Sequence, residues 1–311
     1  MALDPELIAI AQALPPTDLR DPVALRASAT ELLSRLPRSP TTGVLIEDIR
    51  LEADNELPAL RLRAYSPESA SAQSPAVLWL HSGGFVAGSI EAEDSLCIDM
   101  ARAVGARVFS VDYRLAPEHP FPAALNDAER ALRWLRDTAA RLGINPRRIA
   151  VAGQSAGGAL AASLVLRTVH QGEPDIVFQL LITPVLDDRL ETHSMRTFID
   201  TPLWNRPAAE LSWRYYLGAE RGDVSPYAAP ARAHRLAGLP PTYIGTSDQD
   251  PVRDEGILYA LRLAEAGVSV ELHHFPGTFH GSNVLAPDAA VSKRQQAELH
   301  AALRRALTRV P

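Results

Sequence analysis

The segment Ile149-Ala-Val-Ala-Gly153-Gln154-Ser155-Ala156-Gly157-Gly158 constrains the fold of this chain more than any other. A short, wholly apolar run enters a turn of small residues, which opens directly into a helical pattern reaching Gln171. A strand without polar alternation, followed at once by a helix, belongs in a sheet covered on both faces. From residue 76 onward the chain repeats this theme. Apolar runs at 76–80, 108–112, 178–183, 242–245 and 268–275 are separated mostly by helical stretches. The stretches 123–142, 156–171 and 252–266 each stop at a glycine suited to a left-handed cap, Gly143, Gly172 and Gly267. The alternation predicts an α/β fold with a mostly parallel central sheet flanked by helices on both faces.

Residues outside that alternation predict the remaining organisation. Residues 5–36 read as two short helices, broken at Pro15-Pro16 and restarted at Asp21-Pro22, where Asp caps and Pro fits the first turn. Leu25, Ala29, Leu32, Leu33 and Leu36 form an apolar face at helical spacing. The runs 44–53 and 59–65, joined by Asp54-Asn55-Glu56, read as a hairpin. Between the strands at 178–183 and 242–245 lies a connection too long for an ordinary loop. It holds Phe198, Leu203, Trp204, Trp213, Tyr215 and Tyr216 in a chain that is only 6% aromatic. Such an insertion reads equally as a cover over a pocket or as a packed surface excursion. No internal repeat or low-complexity tract is evident.

Composition excludes several functions. At 311 residues, with 46% hydrophobic and 22% charged, the chain can bury a deep core. A net charge of −6 argues against a nucleic-acid partner, which would need a basic face. Cys97 is the only cysteine, so neither an intrachain disulfide nor a cysteine-based zinc site is available. Between Leu96 and Ile98 it reads as a buried small apolar residue. Asp187-Asp188 lacks a suitable third ligand nearby, and no metal is expected. The acidic N-terminus, with Gln12 interrupting its apolar stretch, does not resemble a signal peptide, and the run 156–166 is too short to span a membrane. A cytoplasmic protein is the expectation.

The chemistry concentrates in three places. Gly-x-Ser-x-Gly between a strand and a helix is the setting of a nucleophile elbow, with Gly153 and Gly157 making room for a strained turn that exposes Ser155. The alternative is a serine helix cap with small neighbours. Leu80-His81-Ser82-Gly83-Gly84-Phe85 follows the first strand of the alternating region, and its glycines let backbone N–H groups approach a developing oxyanion. The N–H groups of Gly83, Gly84 and Ala156 are the expected donors, with His81 pinning the loop. A base C-terminal to the nucleophile and its acid leaves His273, His274, His280 and His300. His273 and His274 fall inside a strand pattern and His300 in an amphipathic helix expected to expose it. His280, flanked by Gly277 and Gly281 past a strand end, is the choice. For the acid, Asp250 and Asp248 remain open on position alone, while Asp254 lies within a helix and reads as solvated.

Together these motifs resemble the bacterial hormone-sensitive-lipase-like carboxylesterases, α/β-hydrolases with a helical cap. The family's His-Gly-Gly-Gly becomes His81-Ser82-Gly83-Gly84, and its Gly-Asp-Ser-Ala-Gly-Gly becomes Gly153-Gln154-Ser155-Ala156-Gly157-Gly158. The stretch Asp112-Tyr113-Arg114-Leu115-Ala116-Pro117-Glu118-His119-Pro120-Phe121-Pro122-Ala123 is similar to a further family signature, read here as a structural loop braced by Arg114–Glu118 pairing. Asp250-Pro251-Val252-Arg253-Asp254-Glu255-Gly256 matches the stretch whose first Asp is the family's triad acid, which favours Asp250. The resemblance implies cap segments at 1–42 and 185–235 and core segments at 43–184 and 236–311. It further implies hydrolysis of short- to medium-chain esters by Ser155, His280 and Asp250, without cofactor, with small-molecule esters as partners and a homodimer as a family habit. An amidase, a lyase-type relative or a non-catalytic receptor on this scaffold are the rival readings, the last disfavoured by His280. Two departures stand out. Ser82 would be strained if its position needs a positive φ, and Gln154 removes a carboxylate beside the nucleophile. Altered rate or substrate preference is expected from them.

Overall fold

A computed structural model describes residues 2–15, 17–53, 57–173, 176–218 and 223–308. Its frame is an eight-stranded sheet in the order β1-β2-β4-β3-β5-β6-β7-β8. The strands are β1 (Val44–Leu51), β2 (Leu60–Pro67), β3 (Ser74–Leu80), β4 (Arg107–Val111), β5 (Ile144–Gln154), β6 (Phe178–Ile182), β7 (Thr242–Gln249) and β8 (Val270–Phe279). β2 runs antiparallel to both β1 and β4, and all other pairings are parallel. The predicted hairpin is present, Leu51 opposing Leu60, although its turn Asp54-Asn55-Glu56 lies outside the described residues, as does Pro16 of the predicted Pro15-Pro16 break.

The helices are α1 (Pro5–Ala13), α2 (Pro22–Ser34), α3 (Asp94–Val104), α4 (Ala123–Asp137), α5 (Ala156–His170), α6 (His193–Thr197), α7 (Arg206–Leu217), α8 (Arg253–Glu265), α9 (Ser282–Leu285) and α10 (Ala290–Thr308). Alternate strand residues serve opposite faces. Leu78, Leu80, Val151, Leu181 and Ile244 pack with residues of α4, α5 and α8. Val77, Trp79, Ala152, Leu180 and Tyr243 join the cluster that contains residues of α3 and α10. Both faces are therefore dry, which explains why the central strands read as unbroken apolar runs. Among the described residues, no helix is long and apolar enough to cross a membrane.

The Asp21 side chain caps α2 by accepting from the N–H groups of Val23 and Ala24, with Pro22 in the first turn as predicted. Two expectations need correction. α4 stops at Asp137 rather than near Gly143, because beyond Thr138 the backbone pattern tightens, Ala139 N–H reaching back three residues to Arg136 O at 3.3 Å, and the chain continues as turns. His300 is half-buried in α10 rather than exposed, and burial pushes its pKa down to about 4.

Order along the sheet fixes where a site can form. β3 lies between β4 and β5, with α3 following β3 and α4 following β4 on opposite faces. The connections diverge at β3 and β5, leaving a crevice beyond their carboxyl ends.

Candidate active site

The chain segments leaving β3, β5, β7 and β8 meet in that crevice. β5 ends at Gln154, and Ser155 follows at φ 58°, ψ −120°, before α5 begins. That turn is held from both sides: Ser155 N–H donates to Ile182 O at 2.8 Å and Val185 N–H to Ser155 O at 3.2 Å. Gly157 is obligatory, since a Cβ there would lie 2.0 Å from Leu80 O. The start of α5 thus presses directly on the end of β3.

His280 follows Phe279, the last residue of β8, and Asp250 follows Gln249, the last of β7. His280 Nδ1 lies 2.7 Å from Asp250 Oδ2, and Nε2 lies 2.8 Å from Ser155 Oγ. An ionised carboxylate can only accept, so Nδ1 carries the proton and Nε2 is free to accept from the serine hydroxyl. Asp250 Oδ1 accepts from Val252 N–H at 3.0 Å, which fixes the carboxylate in turn. All three residues are at most 4% exposed. Asp248, the competing acid, is used elsewhere. It accepts from Gly277 N–H at 3.2 Å and stands 3.4 Å from His274 Nε2.

The loop after β3 places Gly83 and Gly84 beside this array. Gly83 has φ +128°, and a Cβ there would fall 2.1 Å from Ala87 O, so only glycine fits. Val86 and Ala87 N–H both donate to Gly83 O, closing a tight turn. Among the described residues, no backbone bond engages the N–H of Gly83, Gly84 or Ala156. His81 is buried and stacked on Tyr113 with centroids 4.0 Å apart, and it bonds Ser82 O through Nδ1. Burial lowers its pKa, as suits a neutral structural ring.

Several expectations about the surroundings change. Ser82 is not among the positive-φ residues, so the anticipated strain is absent. Its N–H and hydroxyl both donate to Glu93 Oε1, at 2.8 and 2.5 Å, while Trp79 Nε1 donates to Glu93 Oε2 at 2.6 Å. Sequence reasoning missed Glu93, because nothing in Glu91-Ala92-Glu93-Asp94 separates the buried carboxylate from exposed Glu91 and half-buried Asp94. Arg114 does not pair with Glu118. Its guanidinium and N–H bind Asp127 of α4, at 2.8–3.1 Å, and Glu118 instead pairs with Arg26. Asp254 is half-buried rather than solvated, accepting from Ser194 N–H at 2.7 Å. Gln154 and Asn283 exchange amide hydrogen bonds at 3.2 and 3.3 Å, a neutral pair beside Ser155. Asp187 and Asp188 pair with Arg189 and Arg232, and no metal-holding cluster occurs among the described residues.

A cavity of about 160 Å³ opens onto Ser155 and His280. Its walls are mostly apolar, with Leu25, Ala29, Leu32 and Leu33 of α2 on one side and Trp204 on another. The Trp204 ring stacks near His280, centroids 5.7 Å apart, and would meet any Cβ placed on Gly84. Among the described lining residues there is no Asp, Glu, Lys or Arg.

Comparison with known proteins agrees with this geometry. Residues 77–283 match the family model described as the alpha/beta hydrolase fold. Esterase LipI of Mycobacterium tuberculosis is 40% identical over 285 residues, covering 90% of this chain and 88% of that protein. The solved structure titled Bacterial Heroin Esterase superposes with a TM-score of 0.94 at 48% identity, over 99% of both chains. Esterase LipW from Mycobacterium marinum gives 0.89 at 40% identity, over 99% of this chain and 96% of its own. The chain belongs to the α/β-hydrolase fold family, in its hormone-sensitive-lipase-like branch.

Proposed function

We propose that this protein is a serine carboxylesterase acting on short- to medium-chain esters in the cytoplasm, where its single buried thiol, Cys97, would stay reduced. The carrying observation is the continuous Ser155–His280–Asp250 hydrogen-bond chain opening into an uncharged apolar cavity. Ser155 Oγ attacks the ester carbonyl as its proton passes to His280 Nε2, and Asp250 holds the ring and stabilises the imidazolium without taking its proton. The tetrahedral oxyanion is met by the N–H groups of Gly83, Gly84 and Ala156, each worth about 3 kcal/mol of transition-state stabilisation. His280 then protonates the departing alcohol, leaving an acyl-serine. Water enters and gives a proton to His280 as it attacks the acyl carbon; the acyl–oxygen bond to Ser155 then breaks as His280 returns that proton to Ser155 Oγ and the carboxylic acid leaves. None of these steps calls for a cofactor.

The cavity supports the size class. A dry apolar cavity of about 150 Å³ holds benzene, so about 160 Å³ suits a short acyl chain or a single ring. The reading includes residues 1–42 and 185–235 as a cap over the core segments 43–184 and 236–311, since α2, Leu203 and Trp204 line the cavity. It also includes a homodimer formed on the exposed leucines 258, 261 and 272 near the unpaired edge of β8, which size-exclusion chromatography with light scattering would test.

Hydrolysis of p-nitrophenyl butyrate by the wild type and by Ser155→Ala tests the central claim. The wild type should turn over, and the variant should lose kcat by about six orders of magnitude, to background. A folded wild type without turnover, or a variant retaining it, would overturn the assignment.

A further inference from the structure

Helix α2 supplies one wall of the cavity, yet none of its residues is fully buried. Its apolar stripe lines the cavity, with Leu25 and Leu32 only partly buried against neighbouring core residues, so apolar burial alone tethers it less firmly than a fully buried helix. Arg26 provides a polar one. Its Nε donates to Val86 O at 2.7 Å and its Nη2 to Ala116 O at 2.9 Å. The same guanidinium forms a two-pronged pair with Glu118, at 2.9 and 2.7 Å. Val86 belongs to the turn of Gly83 and Gly84, its N–H donating to Gly83 O at 3.1 Å. Ahead of α2, Thr17 Oγ1 is fastened to Leu203 O at 2.5 Å, a pivot about which an untied helix would swing.

We propose that Arg26 is a positioning and specificity-determining residue, locking the α2 wall to the oxyanion loop so that acyl pocket and backbone donors keep one fixed spacing. This rests on the esterase reading above. Planarity matters, because a fork of donors meets two carbonyls and a carboxylate together, which a lysine ammonium cannot do. On this proposal a long acyl chain such as octanoyl packs along Leu25, Ala29 and Leu33 of the cavity wall, contacts that an acetyl group does not need.

The test compares p-nitrophenyl acetate, butyrate and octanoate on the wild type, Arg26→Ala, Arg26→Lys and Glu118→Gln. Fluorophosphonate titration supplies the concentration of competent sites. Arg26→Ala should raise KM for octanoate about tenfold while changing KM for acetate less than about twofold. Its kcat should fall several-fold on every ester as the Gly83–Gly84 turn loosens. Arg26→Lys should recover only part of the octanoate loss. Glu118→Gln keeps the bonds to Val86 and Ala116 and should fall between wild type and Arg26→Ala. Because rates are normalised to titrated sites, partial misfolding cannot mimic this chain-length pattern. Unchanged KM at every chain length in both Arg26→Ala and Glu118→Gln would overturn the proposal, as would an equal rise for acetate and octanoate. A wild type that neither turns over nor takes the label would instead overturn the esterase reading, and this proposal with it.

Discussion

Ser155 is held in a backbone conformation that costs a non-glycine residue about 1–3 kcal/mol, so the bonds to Ile182 and Val185 must over-determine it. The same economy of position separates the two aspartates. Asp250 is fully buried against His280 Nδ1, whereas Asp248 secures the carboxyl-terminal part of β8 through Gly277 N–H. Asp250→Asn should therefore lower kcat by about 10⁴-fold, since the amide favours the wrong histidine tautomer. Asp248→Asn should cost less than about tenfold, the equivalent of one weakened hydrogen bond. Steady-state kinetics on one ester decides it, and equal losses would remove Asp250 from its assigned role. That Ser155 and His280, the proposed nucleophile and base, would meet was legible in the chain because each sits beside glycines at a strand end. The proposed acid was harder to single out on residues alone: position favoured Asp250, but Asp248 stands only two positions away at the same strand end. Their separation depends on a register shift between Ser247 and Gln249, which no local pattern encodes.

At the scale of elements, the segment 112–122 shows how a motif can be read correctly as structural and wrongly in its wiring. Pairing of Arg114 with Glu118 needs a helical turn to bring residues four apart together. Residues 112–115 adopt no helix, and each side chain reaches a distant partner instead: Arg114 to Asp127 on α4, Glu118 to Arg26 on α2. Their surroundings differ sharply. The Asp127 side chain is 2% exposed and Glu118 is 47% exposed. Removing Asp127 strands a half-buried guanidinium, so Asp127→Ala should destabilise by about 3–5 kcal/mol. Glu118→Ala should cost less than about 1 kcal/mol, as for exposed pairs generally. Urea denaturation with an unchanged slope is the check, and equal midpoints for the two variants would refute the contrast. Glu118 thus bears on substrate profile without bearing on stability, which keeps its role in the α2 tether experimentally separable.

Across the whole molecule, the parallel sheet was legible because burial on both faces strips polar alternation from its strands. The end of α4 and the burial of His300 were not, since a tightening of the backbone after Thr138 and the docking of α10 against α3 accompany them. That docking has a thermodynamic consequence. Burial lowers His300 to about 4, with Asp99 of α3 opposing the shift and Arg304 reinforcing it. Unfolded, the ring titrates near 6.5. Above pH 6.5 it is neutral in both states and has no effect on the slope. Between 6.5 and about 4 only the unfolded chain takes up the proton, so stability falls with falling pH, by at most about 3 kcal/mol, and levels off below. Glu255 acts in the opposite sense. Burial and the nearby Asp187 raise its pKa well above the usual carboxylate range, so its contribution is complete below the unfolded pKa and fades as pH rises through the folded one. Total stability therefore mixes the two, and a difference measurement is needed. His300→Gln removes one titration only. Relative to that variant, the wild type should lose stability steadily from pH 6.5 to 4 in urea denaturation. Parallel stability curves for the two proteins would mean that His300 is solvated and that α10 does not shield it.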